Sequence, residues 1–220
     1  LVGSEMCIRD RLLQGKNVAL ISDAGTPAIS DPGEVLVQKC QEVGITVTSL
    51  PGPAACITAL TLSGLSTRRF CFEGFLPSDK KEKAQILAEL KEESRTILIY
   101  EAPHHLVRTL GELYEALGDR RITLCRELTK KFETILPTTI GEALSRYETE
   151  EPRGEYVLVV EGKSLRQKKE ERQASWQSMT IEEHMAFYTE GGMDDKAAMK
   201  QVAKDRGVSK REIYQYLLPK

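Results

Sequence analysis

Short apolar runs rich in β-branched residues alternate along this chain with stretches whose apolar positions recur every three or four residues. Residues 18–21 (VALI) and 45–50 (ITVTSL) read as buried strands, and 70–75, 96–100, 122–126, 133–137 and 156–161 as further strands. Helical spacing fills 56–62, 78–93, 103–117 and 140–147, so the chain is expected to layer as an α/β protein. The first alternation ends in the loop 64–67, which divides a domain at 12–66 from a second at 67–163. A polar stretch follows at 164–178, holding the sole tryptophan, Trp176, and reads as a linker or a solvated helix.

From residue 179 the spacing predicts helices at 181–189, 194–206 and 209–218. The sequence Gly207-Val208-Ser209 supplies a tight turn with a serine N-cap. Ala197, Ala198, Val202 and Ala203 would face Ile213 and Leu217, the pattern of a helix-turn-helix. Residues 196–220 hold seven Lys/Arg against two acids, net +5, which suits nucleic-acid phosphates. A helical appendage used only for packing or dimer contacts would account for the same spacing. Residues 1–11 (LVGSEMCIRDR) lack a hydrophobic period, look like a translated sequencing-adapter tail, and are set aside as non-native sequence.

Two loops stand out. The strand at 18–21 runs into Asp23-Ala24-Gly25-Thr26-Pro27 and then Ser30-Asp31-Pro32-Gly33; the strand at 45–50 runs into Pro51-Gly52-Pro53-Ala54-Ala55. Loops at the carboxyl ends of strands are where open α/β sheets bind ligands. Glycine lets a ligand lie against bare backbone, and Asp23 can accept from hydroxyls or an amine. Such a surface suits a flat, uncharged body such as a nucleoside. Neither G-x-x-x-x-G-K-[ST] nor G-x-G-x-x-G occurs, so the common phosphate cradles are missing from this sequence. An ordinary turn capped by Ser30 or Asp31 would leave the same signature.

Composition adds limits. A 40% hydrophobic and 29% charged chain of 220 residues can bury a real core, and no apolar run nears the ~20 residues that span a bilayer. No partner membrane is expected, and a cytoplasmic location is. Cys40, Cys56, Cys71 and Cys125 lie inside apolar patterns without C-x-x-C pairing, which points to buried thiols and to neither zinc nor disulfides. The net charge of −2 means that a polyanion must be held by local basic surface.

Six stretches in one order carry a resemblance: SDAGTPAISDPG (22–33), PGPAA (51–55), FEGFLP (72–77), YEAPHH (100–105), RELTKKFE (126–133) and GEYVLVVEG (154–162). Together they resemble the tetrapyrrole methylase superfamily, in particular its 16S rRNA (cytidine-2′-O)-methyltransferase branch. The resemblance implies a two-domain methylase fold with an incomplete first domain, because family members carry an opening strand and a Pro-Ile-Gly-Asn type loop ahead of the first motif. The chain is therefore expected to be N-terminally truncated.

By the same resemblance, S-adenosylmethionine would lie along Asp23, Gly25, Thr26, Pro51, Gly52, Ala54 and Ala55, with Tyr100 and Glu101 from the second domain. No metal is implied. Glu127 and Lys130 are the candidates for base or positioning group. Arg126, Lys130, Lys131, His104, Lys210 and Arg211 are the candidate RNA contacts. His105 stands where the family commonly has arginine. Glu101 and His104 could instead hold their own loop, and the 126–131 run could be a surface ion-pair network. The implied partners are 16S rRNA in the small ribosomal subunit, at its decoding centre, and a second copy of the chain. Two other classes stay open: a methyltransferase of this fold acting on a tetrapyrrole or a protein side chain, and a non-enzymatic helix-turn-helix regulator.

Overall fold

A computed structural model describes residues 2–217. Its contacts fall into two compact units, 1–162 and 163–220.

The first unit opens with helices α1 (Val2–Leu13), α2 (Glu34–Glu42) and α3 (Ala55–Leu62). The segment set aside in the sequence is thus largely helical, and Leu1 lies outside the described residues. The alternation expected from residue 70 follows: β1 (Phe70–Phe75), α4 (Lys80–Glu92), β2 (Thr96–Glu101), a 3-10 turn at Pro103–His105, α5 (Leu106–Leu117), β3 (Arg121–Arg126), β4 (Thr134–Thr139), α6 (Ile140–Tyr147) and β5 (Tyr156–Val160). The five strands form one mixed sheet in the order β1-β2-β5-β3-β4. Strands β1 and β2 are parallel, and β5 runs antiparallel to both β2 and β3. Hence β1, β2 and β3 point the same way, and their carboxyl ends share one end of the sheet.

The period-two pattern decides the core. Ile97, Ile99, Ile122, Leu124, Leu158 and Val160 pack beneath Leu106, Leu110, Leu113, Ile140 and Ala143 of α5 and α6 on one face. Leu98, Cys125, Val157 and Val159 meet Cys56, Ala59 and Leu60 of α3 on the other. A central strand with neighbours on both sides and cover on both faces must be apolar throughout, and β5 (YVLVV) is. Pro137 sits in β4, an edge strand, where its missing N–H costs no ladder bond toward a further neighbour. Burial pushes the Cys125 thiol up to about 11, so it is inert at neutral pH.

Two expected strands do not form. Residues 18–21 and 45–50 carry no strand pairing; Ile21 is 84% and Leu50 83% exposed. A strand is made by its neighbour's hydrogen bonds and by burial of a face, and among the described residues no strand lies beside either segment. The amide of Ile45 instead closes the end of α2 on the Cys40 carbonyl.

The second unit is helical: α7 (Leu165–Ser178), α8 (Ile181–Glu190), α9 (Asp195–Arg206) and α10 (Lys210–Leu217). Of the two readings of 164–178, linker or solvated helix, the described residues form the helix, opened by a Ser164/Gln167 capping box. Gly207 ends α9 in the left-handed conformation, φ 68°, and Ser209 accepts from Glu212 N. Ala198, Val202, Ala203 and Ile213 form the small core, with Met185 of α8; Ala197 is exposed rather than packed. Leu218, expected in the last helix, lies outside the described residues.

His184 of α8 is fully buried, stacked on Trp176 with centroids 4.1 Å apart. Its Nδ1 accepts from Arg206 Nε at 3.1 Å, so the neutral ring carries its proton on Nε2, 3.6 Å from Asp205 and too far for a hydrogen bond. Burial first, and then the Arg206 charge, hold its pKa below 6.5. The unfolded chain therefore takes up a proton at His184 that the folded unit resists, and the stability that the neutral ring contributes is progressively lost as pH falls below 6.5. Thermal unfolding followed by Trp176 fluorescence is expected to show a melting temperature that His184 leaves flat above pH ~7 and lowers as pH falls below 6.5. His184→Phe should remove that slope, and an unchanged slope would refute the assignment.

Candidate functional site

The two glycine loops meet. Thr26 N donates to Pro53 O at 2.9 Å, and the Thr26 hydroxyl donates to the same oxygen at 3.3 Å. Gly25 has φ +74°, and a Cβ there would lie 2.8 Å from Pro53 O. A Cβ at Gly52 would lie 2.8 Å from Thr26 Oγ1. The loops approach this closely because both positions lack a side chain. Ser22 Oγ donates to the Ala24 and Gly25 carbonyls and shapes the turn that carries Asp23. Asp23, Gly25, Pro51 and Gly52 face solvent, while Ala54 caps α3 with extended backbone and Ala55 begins it.

Helix α3 connects these loops to the sheet. The Cys56 amide, in its first turn, donates to Tyr100 Oη at 3.1 Å, and Tyr100 is the penultimate residue of β2. Burial first, and then the Cys56 thiol, raise the Tyr100 hydroxyl to about 12 against the opposing effect of this amide, so it stays protonated. Its ring meets Phe72 and Phe75 edge-on, at 4.9 and 5.6 Å between centroids. Glu101 is buried and accepts from the Ala102 amide at 2.8 Å and the Thr109 hydroxyl at 2.5 Å. Both residues are thus engaged with their own chain: Tyr100 anchors the loop-bearing helix, and Glu101 braces the turn after β2. His104 in that turn is exposed, its ring 4.1 Å from that of His105.

Across the sheet, Glu101 and Arg126 are register partners of the same residue, Tyr156. The loop after β3 therefore leaves the same end. Arg126 donates from Nη2 to the Phe132 carbonyl at 3.2 Å, and its buried Nε has no hydrogen-bond partner among the described residues. Glu127 and Thr129 have positive φ, 50° and 63°, in the region that favours glycine. Glu127 Oε1 accepts from the Glu155 amide at 2.9 Å and from Lys130 Nζ at 3.1 Å; Lys130 also reaches Glu155 at 2.7 Å. Room for Glu127 comes from Gly154, where a Cβ would lie 2.5 Å from Glu127 Cγ. The Glu155 amide and Lys130 hold the Glu127 carboxyl below the usual range, and Glu155 and Glu127 hold Lys130 above its own. Both directions oppose proton abstraction, because the acid is made a weaker base and the amine stays charged. The geometry suits positioning.

Expected residues from four separate stretches are so gathered at one end of one sheet. Lys131 is exposed on the same loop. Lys210 and Arg211 are exposed on α10 of the other unit. Sequence reasoning passed over Pro53, whose carbonyl joins the two glycine loops, and Glu155 and Phe132. Gly154 and Glu155 lay inside a quoted motif, but nothing local shows that they face Glu127, 28 residues away. Among the described residues no group of three or more His, Cys, Asp or Glu could hold a metal, and no helix is long and apolar enough to cross a membrane.

Glycine-lined loops that meet each other and reach the carboxyl end of β2 through α3 lie where α/β proteins of the open-sheet class bind ligands. The chain belongs to the family of Tetrapyrrole (Corrin/Porphyrin) Methylases, whose family model matches residues 4–144, and is thereby an S-adenosylmethionine-dependent methyltransferase. It is 46% identical over 203 residues to Ribosomal RNA small subunit methyltransferase I of Bacillus subtilis (strain 168), covering 92% of this chain and 69% of that protein. The protein of the same name from Halalkalibacterium halodurans is 45% identical over 205 residues (93% and 70%), and that from Escherichia coli O157:H7 40% over 211 (94% and 71%). Among solved structures, the methyltransferase CobJ shares the fold at a TM-score of 0.54 and 20% identity, over 72% of this chain and 70% of that one.

Proposed function

We propose that this chain methylates the ribose 2′-hydroxyl of a cytidine in the 16S rRNA of the small ribosomal subunit. The observation that carries the reading is the similarity, over more than nine-tenths of the chain, to proteins named for methylation of small-subunit ribosomal RNA. When bound, S-adenosylmethionine supplies a sulfonium methyl that needs no further activation. The chain's own work is then to hold donor and acceptor in line and to exclude water, and such proximity can supply ~7 to 11 kcal/mol.

In this reading Asp23 takes hydroxyl or amine groups of the donor, while Gly25, Thr26, Pro51, Gly52, Ala54 and Ala55 offer main chain to its flat part. Tyr100 and Glu101 keep the opposite wall in place through the bonds described. Arg126, Lys130, Lys131 and His104 meet RNA phosphates at the sheet end, and Lys210 and Arg211 do so from the helix-turn-helix-like region 179–220. Glu127 orients Lys130. Residues 12–66 and 67–163 act as the donor and acceptor lobes, 164–178 connects them to the helical region, and the enzyme works as a cytoplasmic homodimer.

The test is methyl transfer from labelled S-adenosylmethionine to isolated small ribosomal subunits by the full chain, followed by nuclease digestion. The expected product is 2′-O-methylcytidine. Label on a base, label on a porphyrinoid in place of RNA, or duplex-DNA binding without transfer would each overturn the reading.

A further inference from the structure

Phe132 is 64% exposed at the end of the loop between β3 and β4, in a run that also holds Arg126, Lys130 and Lys131. A single exposed aromatic is ordinary in itself; what sets Phe132 apart is the cations beside it and the way its loop is held. The Lys131 ammonium lies 5.6 Å from the ring centroid. Nor is the ring on a slack tether. Leu128 packs inward against the α3 side of the core, while Glu127 N donates to Glu155 O and Thr129 N donates to Glu133 Oε2 at 2.6 Å. Together with the Glu127–Lys130–Glu155 cluster these bonds hold two non-glycine residues at positive φ, a strain of ~1 kcal/mol or more each. A loop braced against its own strain presents Phe132 outward in one place.

We infer that Phe132 is a stacking platform for an unpaired nucleobase of the RNA substrate close to the methylated nucleotide, with Lys131 and Arg126 at the adjoining phosphates. The inference deepens the ribosomal RNA reading and rests on it. The chemistry is that of single-stranded RNA recognition, in which splayed bases stack on aromatic side chains and cations follow the backbone. A ring with lysine beside it offers both at once, and does so at the sheet end where the donor loops converge.

The experiment measures kcat and KM for small ribosomal subunits with the full chain and its Phe132→Ala, Phe132→Leu and Phe132→Tyr variants, alongside binding of a single-stranded RNA carrying 2-aminopurine. Stacking on an aromatic residue predicts a KM raised about tenfold or more in Phe132→Ala and Phe132→Leu with kcat nearly unchanged, and recovery in Phe132→Tyr. The 2-aminopurine fluorescence should be quenched by the parent chain and by Phe132→Tyr only. Melting temperatures should coincide, since the ring is exposed. If leucine serves as well as phenylalanine, or Phe132→Ala leaves KM unchanged while the parent methylates subunits, the platform is refuted and the ribosomal reading survives. If the parent transfers methyl to a porphyrinoid and never to subunits, both fall.

Discussion

Glu112→Ala is expected to destabilise the first unit by about 3 kcal/mol, a fall in melting temperature on the order of 6–12 °C. Lys83, in the first turns of α4, is only 7% exposed, and its Nζ donates to Glu112 Oε1 of α5 at 2.9 Å. An ammonium so placed has left water and relies on that carboxylate. Removing the acid strands the charge, which costs more than the pair itself contributes. Glu112 keeps 27% of its side-chain surface and has Arg108 3.9 Å away, which sets the estimate at the low end of the range for buried pairs. The double change Lys83→Met/Glu112→Leu should recover most of the loss, because it removes both charges and fills the same space. Thermal melts of the three proteins decide it, and a Glu112→Ala variant within about 1 kcal/mol of the parent would refute the argument.

The contrast between that helix pair and the glycine loops shows what the sequence could reveal. Strands flanked by turns and carrying continuous or alternating apolar residues, such as 70–75 and 156–160, are found where expected because sheet neighbours on the same chain satisfy them. The equally apolar 18–21 and 45–50 are not, since a strand pattern states a need for a partner without supplying one. The helix at Leu165–Ser178, one of the two readings of that polar stretch, is favoured over a linker by S-x-x-Q at 164–167, a capping signal that composition alone hides. At the site, glycine at 25 and 52 was legible as bare backbone. That the two glycines exist to let Thr26 reach Pro53, or that Glu127 folds back on Glu155, depends on contacts 27 and 28 residues apart that no local pattern encodes.

Gly25→Ala is expected to weaken S-adenosylmethionine binding at least tenfold while leaving the fold in place. A side chain at φ +74° is strained by ~1 kcal/mol in itself. The larger effect is steric: the new methyl would stand 2.8 Å from Pro53 O, and that atom is backbone and cannot swing aside. The Thr26 N–Pro53 O bond must then stretch or break, and the two loops part. Both loops are exposed and lie apart from the main packing beneath α5 and α6, so the melting temperature should move by only a few degrees. Calorimetric titration with the donor, run beside a thermal melt, separates the two effects. Alanine at 52, pressing on the Thr26 hydroxyl from the other side, should weaken the same affinity less, because a side-chain atom can rotate away where a carbonyl cannot. Unchanged donor affinity in Gly25→Ala, with the melt also unchanged, would mean that the meeting of the glycine loops is a packing feature and that the donor lies elsewhere.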